Sequence, residues 1–117
     1  MMRDIQLAAS EMGGRLFRNN VGLFQTIDGR MAQCGMGKGS SDLIGFIPAE
    51  VENTVLAVFT AIEVKSQMGI PTTEQNNFLE MVRSNGGIAG VVRSRHEFEF
   101  LIENSLQNVS SLDMNTD

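Results

Sequence analysis

Ile5, Ala8, Ala9 and Met12 recur at the three- and four-residue spacing of one helical stripe, and Gly13-Gly14 follows as a stop, so residues 2–12 are predicted to form a short opening helix. A short strand around Leu16 and Phe17 is expected next, ending at Asn19-Asn20. Between Gly22 and Ser41 stand five glycines, three of them alternating at Gly35, Gly37 and Gly39, which predicts a loop or an irregular hairpin lying over the rest. The strongest strand signal runs from Asp42 to Lys65. Leu43, Ile44, Phe46 and Ile47 form one apolar run and residues 55–62 another, both rich in strand formers and too short for helices. If the chain reverses at Glu52-Asn53, Val51 faces Thr54 and paired positions sum to 105, which sets Asp42 opposite Glu63 on one face of the sheet. Pro48 is expected to interrupt that ladder, with a bend or bulge that shifts the register as the alternative.

Gly69-Ile70-Pro71 punctuates the chain before a helix with Thr72 or Thr73 as N-cap and Gln75 or Asn76 at the reciprocal position. Phe78, Leu79, Met81 and Val82 give that helix its buried stripe and Gly86-Gly87 ends it. Ile88 to Val92 reads as a strand, and Ser94 caps a last helix carrying Phe98, Leu101, Ile102 and Leu106. The expected architecture is an α/β domain with a small mixed sheet flanked by helices, in the order α-β-β-β-α-β-α. Residues 1–110 make a single domain and 111–117 a polar C-terminal tail that frays.

A chain of 117 residues suits one domain. No stretch approaches the roughly 18 apolar residues of a membrane span, and Arg3 and Asp4 near the start have no signal-peptide core behind them, so an intracellular, cytoplasmic protein without membrane partners is expected. The lone Cys34 reads as a buried thiol in a reducing compartment. Trp and Tyr are absent, which disfavours an aromatic reader of single strands. The net charge of -5 argues against nucleic acid until its distribution is considered. Residues 1–40 hold five basic and three acidic side chains, or +2, and the remainder four and eleven, or -7. A basic front allows DNA on one face, and carboxylates gathered around a metal would lower the total, while ordinary solubility charge explains the same numbers.

Glu63 and Lys65 flank Val64 at a strand end and so share a face. Alone, such a pair is usually solvated. Here it ends an apolar strand expected to be central, and Asp42 arrives from the neighbouring strand behind Gly37-Lys38-Gly39-Ser40-Ser41. Two adjacent carboxylates repel unless protonated or bridged by a cation, and hard oxygens suit Mg²⁺, a combination able to hydrolyse phosphodiesters. The alternating glycines are not followed by Gly-Lys-Ser/Thr opening a helix, which disfavours nucleotide binding. His96, beside Arg93 and Arg95, reads as an exposed first-turn residue, and the eight Met as core or dimer filler.

Asp42, Glu63-x-Lys65 and Gln75 together resemble the PD-(D/E)xK nuclease superfamily, and more closely its virus-type replication-repair nuclease (VRR-NUC) branch. The resemblance is carried in order by Arg18-Asn19-Asn20-Val21-Gly22, by Gly37 to Gly45, by Ala61-Ile62-Glu63-Val64-Lys65 with Gly69, and by Thr73 to Phe78 leading to Gly86 through Ser94. It spans about positions 4 to 95. It implies a restriction-endonuclease-like fold and a stand-alone, metal-dependent, structure-selective DNA endonuclease similar to homodimeric resolvases of four-way (Holliday) junctions, bacterial or phage-encoded. Flap or nicking enzymes and non-catalytic DNA-binding modules of the same fold are the alternatives.

By that resemblance Asp42, Glu63 and the Val64 carbonyl hold Mg²⁺ or Mn²⁺, Lys65 positions or deprotonates the attacking water, and Gln75 orients that water or Lys65. Arg18, Asn19, Asn20, Lys38 and Ser41 are the expected nucleic-acid contacts, with turn chemistry as the alternative for the asparagines. The chain departs from the pattern twice. Met1 and Met2 stand where the branch has an acid in its opening helix, leaving Asp4, Glu11 or Gln6 to complete the site, and Ser41 replaces the usual proline before the first acid.

Overall fold

The computed structural model describes residues 1–114; residues 115–117 of the expected tail lie outside the described residues. Helix α1 (Met2–Glu11) leads into β1 (Arg15–Arg18), and a hairpin of β2 (Gly22–Gln25) and β3 (Met31–Cys34) follows. Strands β4 (Leu43–Val51) and β5 (Thr54–Val64), helix α2 (Thr73–Ser84), strand β6 (Ile88–Val92) and helix α3 (Arg95–Met114) complete the chain. The main sheet has the order β1-β4-β5-β6, antiparallel except for the parallel pair β5-β6, and β2-β3 forms a separate two-stranded sheet. This is the small mixed α/β domain expected, with one addition. The glycine-rich stretch contains a regular hairpin, in which the backbone of residues 22–25 pairs antiparallel with that of residues 31–34, from Gly22 against Cys34 to Gln25 against Met31.

Strands β4 and β5 pair with the expected register, Val51 against Thr54 through Leu43 against Ile62. Glu52 and Asn53 both have positive φ, 48° and 67°, as a two-residue turn of the primed kind requires. Pro48 does not shift the ladder and stays opposite Ala57. Its physical licence is its place at an edge: β1 accompanies β4 only as far as Phe46, so beyond that point β4 has one strand neighbour and the missing N–H is needed by none.

Alternation along the strands sends side chains to two cores. On one face Leu43, Ile47, Ile62, Ile88 and Val92 pack with Ile5, Ala8 and Ala9 of α1 and Phe98 and Ile102 of α3. On the other face Ala61 and Ala89 meet Leu79 and Val82 of α2, with Ile44, Phe78 and Val91 at the margin. The face is decided by parity. Ile44 and Ala61 belong to the α2 side, so Asp42, Glu63 and Lys65, each an even step away, belong to it as well.

Gly45 pairs with Leu16 of β1, and a Cβ there would fall 1.9 Å from the Arg15 carbonyl oxygen. Gly45→Ala should therefore push β1 off the sheet and cost about 1 to 3 kcal/mol of stability, as overpacking against backbone does. Urea unfolding of the variant against the parent measures it, and a loss below 0.5 kcal/mol, an ordinary surface value, would contradict the packing described.

Candidate active site

Three segments converge at the open end of the β4-β5 pair. Asp42 precedes the first residue of β4, Glu63 is the second-last residue of β5 and Lys65 follows that strand. The Val64 N–H donates to Asp42 Oδ2 at 3.0 Å, and the Lys65 N–H donates to the Val92 carbonyl of β6 at 3.0 Å. Asp42 is thus tied to the strand that carries Glu63, although 21 positions separate the two acids along the chain.

Glu63 is 1% exposed, and neither of its carboxylate oxygens has a hydrogen-bond partner. Burial first, and then the adjacent Asp42 carboxyl, push its pKa up to about 8, while the Lys65 ammonium acts weakly in the opposite direction. A buried carboxylate without donors is costly unless it is protonated or meets a cation. Lys65 forms no ion pair with it. The donor set is two hard carboxylates, one of them with both oxygens unmatched, which fits a small divalent cation that keeps most of its waters. Among the described residues no group of three or more His, Cys, Asp and Glu side chains gathers to hold a metal, so the carboxylates available at this point are these two.

Helix α2 presents its first turn to the site side of the sheet. Of the two possible caps the chain uses Thr72: its hydroxyl accepts from the Gln75 N–H at 3.1 Å and Gln75 Oε1 accepts from the Thr72 N–H at 2.9 Å. Gln75 therefore spends its carbonyl oxygen on the cap and makes no hydrogen bond to Lys65. The loop before Asp42 lies against the same turn. Gly39 has φ of +88°, a Cβ there would sit 2.8 Å from Glu74 Cβ, and Lys38 Nζ approaches Glu74 Oε1 at 3.8 Å.

The expected nucleic-acid contacts divide. Arg18, Asn20 and Lys38 are exposed around this end of the sheet. Asn19 and Ser41 are both buried and hydrogen-bonded internally. The Asn19 amide donates to Ser40 Oγ and to the Ser41 carbonyl, each at 2.8 Å, and Ser41 Oγ donates to the Leu43 carbonyl at 3.0 Å.

Of the α1 residues that could complete the site, Gln6 and Glu11 are engaged elsewhere. Gln6 Nε2 donates to the Leu16 carbonyl at 3.1 Å, Glu11 pairs with Arg95, and Asp4 is exposed in the first turn. Cys34 is half-buried rather than buried, with its thiol donating to the Asn20 carbonyl at 2.9 Å. His96 is exposed, as expected.

One supporting residue was not singled out from the sequence. Arg93, just past β6, donates from Nη2 to the Gly69 carbonyl at 2.8 Å and so fixes the turn that follows Lys65. Its position directly after an apolar strand that pairs with the Glu63 strand is the only signal that could have marked it.

Residues 24–96, more than half of the chain, match the family model of the VRR-NUC domain. Searches of the curated proteins and of the solved structures gave no match.

Proposed function

Because this chain belongs to the VRR-NUC domain family, a family of nucleases, we propose that it is a metal-dependent, structure-selective DNA endonuclease, and specifically a homodimeric resolvase of four-way junctions. The observation that carries the metal-dependent reading is the buried Glu63 carboxylate, unmatched by any donor and set beside Asp42. Asp42, Glu63 and the Val64 carbonyl would hold Mg²⁺ or Mn²⁺. When bound, the cation supplies polarisation of the phosphoryl oxygen and a lowered pKa for water. Lys65 orients or deprotonates the attacking water from the same face of β5 and offsets the negative charge that builds on the phosphorus oxygens. The amide nitrogen of Gln75, whose carbonyl oxygen is held by the helix cap, would steady that water or Lys65.

Arg18, Asn20 and Lys38 would grip phosphates beside the scissile bond. Arg18→Ala is expected to weaken binding to all DNA sequences alike and to reduce the slope of log K against log salt by about 1, the signature of one lost phosphate contact. Fluorescence anisotropy at several salt concentrations reads this, and an unchanged slope removes Arg18 from the interface.

One site cuts one strand, so symmetric resolution calls for two sites related by a twofold axis. Apolar side chains available for a self-complementary contact include Phe59 of β5, Met81 of α2 and Met36, which border one half-open hollow. The deciding experiment is cleavage of labelled four-way junctions, flaps, nicked duplex and linear duplex in Mg²⁺, Mn²⁺ or EDTA, with gel filtration alongside. Paired, symmetric cuts in junctions by a dimer are expected. A monomer, or equal cutting of linear duplex, refutes the resolvase reading; preference for flaps or nicks selects another nuclease activity; and binding without cleavage in either metal refutes catalysis.

A further inference from the structure

Asn19 occupies a position that its expected role in DNA contact does not explain. It is 9% exposed, and its side chain bridges the two ends of the loop between β3 and β4. Oδ1 accepts from the Met36 N–H at 2.9 Å, while Nδ2 donates to Ser40 Oγ and the Ser41 carbonyl. Its own backbone N–H donates to the Asp42 carbonyl at 2.7 Å. Ser40 Oγ in turn donates to the Gly37 carbonyl at 2.6 Å, which closes the loop on itself.

A glycine-rich segment has no packed side chains to define its path, so hydrogen bonds must do so. Here one carboxamide supplies them at both ends and delivers the chain to Asp42 in a single direction.

We propose that Asn19 is a positioning residue for the nuclease site: through the 36–41 loop it aims the Asp42 carboxylate at the end of β5 and thereby sets the affinity of the site for its divalent cation. The cation part rests on the reading given under Proposed function; the aiming of Asp42 does not. Both donors and the acceptor are required, because an aspartate at this position would keep the bond from Met36 but turn an oxygen towards the Ser41 carbonyl. Indirect supports of this kind typically alter metal affinity by about 10- to 100-fold.

The Val64 amide, which donates to Asp42 Oδ2, is a reporter that needs no metal. Amide hydrogen exchange followed by NMR on parent, Asn19→Asp and Asp42→Ala compares Val64 with the preceding amides of β5. Asn19→Asp is expected to lower Val64 protection at least tenfold relative to those neighbours, towards the value that Asp42→Ala sets, and to weaken Mn²⁺ binding by calorimetry at least tenfold at a temperature where the variant stays folded.

A purely structural role would lower Val64 and its neighbours together. That result, or unchanged Val64 protection, overturns the proposal whatever the metal data show. Loss of Val64 protection with no Mn²⁺ binding by the parent upholds the aiming of Asp42 and refutes the metal reading instead. Loss of protection with Mn²⁺ affinity unchanged overturns the link from Asn19 to the cation. Should Asn19→Asp not fold, Ser40→Ala removes one acceptor of the same carboxamide and is read in the same way, with a smaller expected change and the same overturning result.

Discussion

Glu63→Gln and Asp42→Asn should each lower DNA cleavage by about 10²- to 10³-fold or more while leaving the fold intact. Either exchange preserves side-chain volume and removes one negative charge from the pair that would hold the cation. Electrostatic stabilisation by a bound metal is worth several kcal/mol in the transition state, and each 1.4 kcal/mol is about tenfold in rate. Lys65→Ala should fall in a similar range by a different route, through loss of the ammonium that would offset charge on the reacting phosphate. Rates on labelled junctions, with circular dichroism to verify folding, decide the matter. Folded variants that cut at a tenth of the parental rate or faster would show that these side chains do not carry the chemistry.

The second large effect concerns stability and its dependence on pH. Glu63 has a folded-state pKa raised to about 8 from 4.5. Between those values the folded protein retains a proton that the unfolded chain has released, so the free energy of unfolding declines as pH rises. The stabilisation is fully present below pH 4.5 and is lost as the pH climbs through about 8. One pKa unit corresponds to about 1.4 kcal/mol, so metal-free protein should lose a few kcal/mol over this window.

Glu63→Gln, neutral at every pH, should flatten the profile and be more stable than the parent at pH 8. Divalent cation should reverse the loss, because it takes the deprotonated carboxylate and stabilises the folded state by mass action. Urea unfolding at pH 5, 6.5 and 8, in EDTA and in Mn²⁺, tests all three statements. A metal-free parent whose stability does not fall over this range would mean that Glu63 is ionised in the folded protein, and the account of a donor-starved carboxylate would be abandoned.

Much of this arrangement was legible in the residue order. Parity along β4 and β5, with a two-residue reversal at Glu52-Asn53, is enough to place Asp42 opposite Glu63, and the observed ladder keeps that register past Pro48. Periodicity located the three helices and most of the main sheet, and the order of motifs pointed to the nuclease family that the family model matches. These features are local or nearly so: side-chain alternation, helical spacing and turn chemistry depend on neighbours a few positions away.

Other features depend on who meets whom across space. That Leu23 and Phe24 find partners in Gln33 and Ala32 was not visible among the glycines, because a short hairpin is marked by its pairing and not by its composition. Burial divided the asparagines, sending Asn19 inward to hold a loop and leaving Asn20 outside. Reach assigned Gln75 to a helix cap and Glu11 to Arg95, partners that identical side chains could have exchanged in another fold. Above all, Glu63 is an acid like thirteen others in composition. Its raised pKa and its unmatched oxygens arise only because β5 runs between two neighbouring strands and beneath a helix, where water cannot reach the carboxylate and no donor replaces it.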